Sequence, residues 1–275
     1  MKKFLIILVL IITTSISAQS PIVKQIGEFT EVKVFDLINV TMIKSDKNEV
    51  VIDGSNKRNV QVINKNGKLK NQVTKGNWEV TNYYGFDEKN QTIFYQSVEN
   101  GSINRDIYSV KLNGKNKKRL SKRDGTNSAS FSADFTYFIN THSSATSPQE
   151  YTLNDSKSGR LIKSIKDNDK LAKKVTDYKT SKKEFSTISV NGNDLNMWMI
   201  KPADFDSNKE YPLFMYQYSG PGSQQVANRW NSANDYWYQH LAQQGYIVAC
   251  VDGRGTGLKG ADFKKVTQNE LGKYE

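Results

Sequence analysis

The chain has 275 residues, 37% of them hydrophobic and 24% charged, enough apolar material for a packed core, which excludes a disordered or low-complexity chain. Lys and Arg total 39 against 28 Asp and Glu, a formal charge of +11, so an anionic partner has to be weighed. Two histidines and one cysteine exclude an intrachain disulfide and all but exclude a zinc site of clustered Cys and His.

Met1-Lys2-Lys3 precede the apolar run Phe4–Ile12, and small and polar residues follow to Ala18-Gln19. A basic start, a short apolar run and a small residue at a cleavage point predict a secretory signal over residues 1–18, because a bilayer-spanning helix needs ~20 apolar residues. Export is expected, to the periplasm, outer surface or exterior of a bacterium, with no membrane span once the signal is removed. That compartment argues against nucleic acid as the partner. The basic runs Lys111–Arg123 and Lys157–Lys183 agree with this: they lack clustered aromatics, and the second interleaves Asp167, Asp169 and Asp177, as solvated faces do.

Residues 29–70 alternate apolar and polar positions (Val32, Val34, Val40, Met42, Val50, Ile52, Val60, Val62) between turn clusters at 44–48, 53–57 and 64–68, which predicts strands only. From Trp78 the predicted strands become short and aromatic-rich, around Tyr83-Tyr84, Ile93–Tyr95, Ile107–Val110, Ala129–Ser132, Thr136–Ile139 and Tyr151–Leu153. Asp87–Asn90, Asn113-Gly114 and Asp124-Gly125 mark the turns, the spacing of four-stranded propeller blades. Residues 157–183, with Ile162, Ile165, Leu171 and Val175, read as a partly helical connector. Phe185–Val190 and Leu195–Ile200 flank the turn Asn191–Asp194 as a hairpin. Leu213–Tyr218 reads as a buried strand, Trp230–Gln244 as a helix and Tyr246–Val251 as a second buried strand, the opening of a parallel α/β sheet.

Two stretches carry a resemblance. Tyr216-Gln217-Tyr218-Ser219-Gly220-Pro221-Gly222-Ser223-Gln224, and then Val248-Ala249-Cys250-Val251-Asp252-Gly253-Arg254-Gly255-Thr256-Gly257, resemble the opening of the hydrolase domain of the dipeptidyl peptidase IV-like serine peptidases of the prolyl oligopeptidase family. Thr74–Val80 and Ser130–Ser132 look like that family's last propeller blades. Phe185–Pro202 and Lys209–Leu213 resemble its passage from propeller to hydrolase. The resemblance covers about residues 71–275. Residues 19–70 are set apart, since Phe29–Asp36 with Val40–Ile43 and Val60–Leu69 look like the opening of a bacterial GIN-type adhesin head domain. The expected fold class is mostly β with a partial α/β unit, incomplete propeller strands followed by the first part of an α/β-hydrolase domain. The expected order is a signal over 1–18, an adhesin-head-like β segment over 19–70, C-terminal blades over 71–184 and the N-terminal part of the hydrolase domain over 185–275.

The resemblance implies a serine exopeptidase that releases Xaa-Pro or Xaa-Ala dipeptides from peptide N-termini, with a peptide substrate, room for a homodimer, and neither cofactor nor metal. It also implies a Ser, Asp, His triad with the serine on a Gly-x-Ser-x-Gly elbow. Gly222-Ser223-Gln224 lacks the flanking glycines, and Gly253–Gly257 has glycines without a central serine. In the family the elbow, acid and base come later than the stretch matched here, so the chain as given is expected to be truncated before its nucleophile and inactive. His142 reads as a blade histidine and His240 as a helix-surface one. The paired glutamates that hold a substrate's amino terminus in the family have no counterpart; Asp87-Glu88 reads as a solvated hairpin tip. Tyr218 alone matches a catalytic position, the tyrosine whose hydroxyl donates to the oxyanion, although taken by itself it reads as a core aromatic ending a strand. Asp252 and Arg254 are expected to hold neighbouring loops by charge-assisted hydrogen bonds. The alternative function is a non-catalytic secreted β-rich binding or adhesin module carried by residues 19–70.

Overall fold

A computed structural model describes residues 39–43, 49–53, 61–63, 69–178, 180–218, 220, 222–230 and 233–275. Residues 1–18, where a secretory signal is expected, most of 19–70, and Ser219 and Pro221 of the Tyr-Ser-Gly-Pro stretch lie outside the described residues. Within 19–70 four short strands are described: β1 (Asn39–Ile43) pairs antiparallel with β2 (Glu49–Asp53), and β3 (Gln61–Ile63) with β4 (Leu69–Gln72). Among the described residues no helix is long and apolar enough to cross a membrane.

Two four-stranded antiparallel meanders follow. The first contains β5 (Val80–Asp87), β6 (Thr92–Ser97), β7 (Asp106–Lys111) and β8 (Lys118–Arg119) in that spatial order. The second contains β9 (Thr126–Phe131), β10 (Tyr137–Ser144), β11 (Ser147–Asp155) and β12 (Leu161–Lys166), also in chain order across the sheet. This is the predicted blade pattern. The turn Asp87–Asn90 is the exposed hairpin tip the sequence suggests, with the Asp87 carboxylate accepting the Asn90 backbone and side-chain N–H at 3.0 and 2.6 Å.

The aromatic positions pack the two blades together. Phe94, Ile107 and Leu120 of the first blade meet Phe138 of the second, with Tyr84, Phe131 and Phe135 around them. Phe135 stacks on Phe94 with ring centroids 5.3 Å apart, and Phe131 tilts against Phe94 and Phe138 at 4.6 and 5.2 Å. Aromatic pairs at these separations add to what area burial alone supplies. Phe135 reaches this place from a left-handed backbone at φ 55°, unusual for a bulky side chain. Asp134 fixes the turn by accepting from Thr136 Oγ1 (2.6 Å), Ser132 Oγ (2.7 Å) and the Thr136 N–H (3.1 Å), bonds that hold its carboxyl near pKa 2. Gly85 makes room for the ring: a Cβ there would sit 2.4 Å from Phe135 Cζ. Polar bonds also tie the blades, from the Ala129 N–H to Tyr84 Oη and from Gln96 Nε2 to the Asn127 carbonyl.

Residues 157–183 are partly helical and solvated, as expected, but the helix takes in less of them than the apolar spacing suggests. Ile162 and Ile165 belong to β12, the exposed outer strand of the second blade, and only Asp169–Thr176 is helical (α1). Alternation with lysine and serine suits an edge strand as well as a helix face, and pairing with β11 selects the strand.

The third sheet is mixed. The hairpin β13 (Lys183–Val190) and β14 (Asn193–Ile200) is followed by β15 (Leu213–Tyr216), helix α2 (Ala233–Gln243) and β16 (Ile247–Val251), in the order β13-β14-β16-β15. β15 and β16 run parallel, so α2 is the crossover of a β-α-β unit. Trp198, Ile200, Tyr238, Ala242, Val248 and Cys250 form its core, with Phe214 and Tyr216 packed against it. The expectation of a strand buried on both faces fails for β15: Leu213 and Met215 are exposed, because their side chains point away from α2. Lys183, buried, reaches Asp235 at 2.7 and 2.8 Å and so pins α2 to the sheet. A short α3 (Ala261–Lys265) ends the described elements.

Phe138→Ala is expected to cost about 3–5 kcal/mol of stability, since it empties the inter-blade core. Denaturant unfolding followed by fluorescence and by circular dichroism measures it, and a loss below ~1 kcal/mol would mean that this core does not join the blades.

Candidate active site

Between β15 and α2 the described residues 217, 218, 220 and 222–230 belong to no helix or strand, so their backbone groups need partners from elsewhere. Two sources supply the missing partners, one inside the mixed sheet and one in the blades.

The inner source is the turn after β16. Asp252, 5% exposed, accepts the Gln225 N–H on one carboxylate oxygen at 2.8 Å and the Val226 N–H on the other at 3.0 Å. Burial pushes this carboxyl up from its ordinary range, against the pull of the two N–H bonds and of Lys259. Gly222 donates its N–H to the Gly255 carbonyl at 2.8 Å, and a Cβ at Gly257 would lie 3.2 Å from the Gly222 carbonyl oxygen, so the two glycine turns abut. Gly255, at φ 89°, also leaves no space for a side chain beside Thr267. The glycine run is a structural turn, as expected. Arg254 lies over the Tyr274 ring at 5.3 Å, and the expected hydrogen-bonding role falls to Asp252.

The outer source is the bend 102–105 that leads into β7. Gln224 donates from Nε2 to the Ser102 carbonyl at 2.8 Å and accepts from Arg105 Nη2 at 2.5 Å. Asn228 donates its N–H to the Ile103 carbonyl at 2.8 Å and its Nδ2 to Asn104 Oδ1 at 3.1 Å. Its Oδ1 accepts the Ala145 N–H at 3.0 Å, and its carbonyl accepts from Thr126 Oγ1 at 3.0 Å. Ile103 itself inserts against the core of the mixed sheet. A further bond comes from the Leu258 N–H to the buried carboxylate of Glu79, at 2.7 Å, with Leu258 at φ 80°.

Tyr218 sits just beyond β15 with 63% of its surface exposed, so it does not end the strand as a core aromatic. Its ring lies along Gly220: a Cβ there would be 2.3 Å from Tyr218 Cε1. Glycine at 220 thus sets where the phenol is held. Ser223 stands in a tight turn, its N–H on the Gly220 carbonyl at 3.0 Å and its hydroxyl 3.3 Å from Gln225 Nε2, and not on a strand-to-helix elbow. His142 is buried in β10 with Nε2 against the Asp124 carbonyl at 3.0 Å, and burial pulls its pKa down. His240 lies exposed on α2. Neither histidine joins Ser223 or Tyr218. Cys250 is fully buried under α2, its thiol pushed up to about 12 by that burial.

The sequence singles out Tyr218 and Asp252 and gives no prominence to Ser102, Asn104, Arg105 and Asn228, whose side chains the structure brings to this segment or to the bend beside it. Their only signal is polar side chains crowded at a strand start and after a glycine loop, which composition alone cannot distinguish from solvated turns.

The model of the dipeptidyl peptidase IV N-terminal region matches residues 26–149. A Phaeosphaeria nodorum protein named probable dipeptidyl-aminopeptidase B is 35% identical over 207 residues, 74% of this chain and 22% of that protein. Trichophyton rubrum dipeptidyl peptidase 4 is 34% identical over 209 residues, 74% of this chain and 27% of that protein. The crystal structure of Porphyromonas gingivalis dipeptidyl peptidase 4 superposes with a TM-score of 0.78 at 37% identity, over 85% of this chain and 33% of that one. The chain therefore spans about a quarter of the length of these curated relatives. The family match takes in residues 26–70, the stretch likened to an adhesin head, and so joins it to the blades that follow. Hydrophobic alternation is common to both kinds of β-structure, which is why that stretch was open to the adhesin comparison.

Asn228→Ala is expected to cost about 1–3 kcal/mol, because the Ala145 N–H loses its acceptor and Asn104 Oδ1 keeps only the Gly125 N–H. Thermal unfolding checks it; Asn228→Asp should recover part of the loss by keeping the acceptor.

Proposed function

We propose that this chain, a relative of the dipeptidyl peptidase IV group of peptidases, supplies two propeller blades and the opening of the α/β-hydrolase domain of an exported serine exopeptidase, with Tyr218 as a donor to the oxyanion of the tetrahedral intermediate. The observation that carries the reading is the placement of Tyr218: an exposed phenol at the C-terminal end of a parallel strand, on a segment tied at several points to both the sheet and the blades. Ligands of open α/β sheets lie beyond the carboxyl ends of the strands. A donor helps an acyl transfer only if it is already aimed when charge develops on the carbonyl oxygen, and the ties on either side of it supply that order.

The reaction proposed is release of a dipeptide from the amino terminus of a peptide, with proline or alanine second. It requires a nucleophile, an acid and a base that the described residues do not assemble, so turnover is assigned to a polypeptide that also carries a nucleophile elbow. The peptide substrate and a homodimer are the partners this reading brings with it, and residues 1–18 direct export.

The 275-residue chain incubated with an Xaa-Pro chromogenic amide is expected to release no chromophore above the buffer rate. Hydrolysis that Tyr218→Phe abolishes would overturn the inactivity. In a form that carries the elbow, Tyr218→Phe is expected to lower kcat roughly 100- to 1000-fold with KM little changed, and an unchanged kcat would remove Tyr218 from the oxyanion site.

A further inference from the structure

We infer that Arg105, at the start of β7 in the first blade, is a positioning residue for the segment that carries Tyr218, acting through Gln224. The inference rests on the reading of Tyr218 as an oxyanion donor, since that is what makes its placement matter.

The segment from 217 to 228 is held in two halves. Residues 225 and 226 are fixed from within the sheet by Asp252, whose two carboxylate oxygens are both used on their N–H groups. In the half nearer Tyr218, the described residues 220 and 222–224 are tied by the Gly222 N–H on the Gly255 carbonyl, the local turn closed by the Ser223 N–H, and the Gln224 side chain. Among the described residues of this half, the Gln224 side chain is the one with hydrogen bonds to the blade. It is gripped from both of its polar ends, Nε2 on the Ser102 carbonyl and Oε1 on Arg105 Nη2.

Arg105 is built for this. Its other terminal nitrogen, Nη1, donates to the Ser102 and Asn104 carbonyls at 3.1 and 2.9 Å, so the guanidinium plane is set by its own loop before Gln224 arrives. A planar fork held on one side offers a donor of fixed direction on the other, which an ammonium group on a flexible stem does not. The Arg105 backbone is also anchored, its N–H on the Gly125 carbonyl at 2.9 Å and its residue bridged to Thr126 at the start of the second blade. Both blades therefore bear on the position of Gln224, and through it on Gly222, Gly220 and the ring laid against Gly220. Asn196 adds a third tie to the same bend, from Nδ2 to Ser102 Oγ at 2.8 Å.

The test reads order in the segment and not turnover. Amide hydrogen exchange of the 275-residue chain is followed by NMR together with a fluorine signal from 3-fluorotyrosine placed at 218, in Arg105→Ala, Gln224→Ala and the double variant. Loss of a charge-assisted bond predicts roughly tenfold or more faster exchange at the Gly222 and Ser223 amides. The fluorine signal should shift or broaden, the double variant should add nothing further, and exchange in β6 should stay as in the parent. Should Arg105→Ala fail to fold, Gln224→Ala decides alone, since it leaves the bonds from Arg105 to the Ser102 and Asn104 carbonyls in place. Unchanged exchange at 222 and 223 with an unchanged fluorine signal would overturn the inference. Full recovery in Arg105→Lys would also overturn it, by showing that charge without the fork suffices. A failure of the Tyr218→Phe experiment would leave these measurements as they stand, so the two readings fall separately.

Discussion

The bond between the Asn228 backbone N–H and the Ile103 carbonyl, with the side chains around it, is the constraint on which the arrangement of this protein turns. The segment dips under cover at Val226 and Ala227, with Asn228 half-buried beside them, and a buried backbone group left unpaired there costs about 1–3 kcal/mol. Asn104, Asn228 and Ser102 meet that demand with short side chains that carry donor and acceptor together. Ile103 adds an apolar peg into the core under α2. Polar satisfaction gives the contact its register, and the buried isoleucine gives it depth.

The inter-blade core uses a different currency. Phe94, Phe131, Phe135 and Phe138 interlock at centroid separations between 4.6 and 5.7 Å, and the fit is close enough that Phe135 enters from a left-handed turn while Gly85 gives way to it. Two neighbouring residues in chain order, Asp134 and Phe135, thus divide the work: one fixes the turn by accepting three hydrogen bonds, the other spends that fixed geometry on aromatic packing. Blades joined in this way present a firm platform to whatever leans on the bend 102–105.

Much of this architecture can be read from the residues. Turn chemistry at Asp87–Asn90 and Asn191–Asp194, and aromatic alternation in between, specify short strands and their hairpins because these signals act locally. The strand, helix, strand unit from 213 to 251 is legible for the same reason. What escaped was non-local. Whether Ile162 and Ile165 line a helix or an edge strand depends on the presence of β11 beside them, and Leu213 and Met215 look as buried as Phe214 until α2 chooses a face. In the candidate site, Tyr218 carries a motif and Asp252 precedes a glycine run, so both stand out. Arg105 and Asn228 draw their roles from partners more than a hundred residues away in the chain, and no local pattern announces them.

Cys250 has a consequence for where such a chain can persist. A single thiol in an oxidising compartment invites cross-linking to a second chain or to small disulfides, and the attacking species is the thiolate. Burial beneath α2 pushes the Cys250 thiol well above its ordinary range, so the reactive thiolate is disfavoured, and its sulfur is sealed away from other thiols. The same packing that completes the core of the mixed sheet also keeps the one sulfhydryl out of reach of a second thiol.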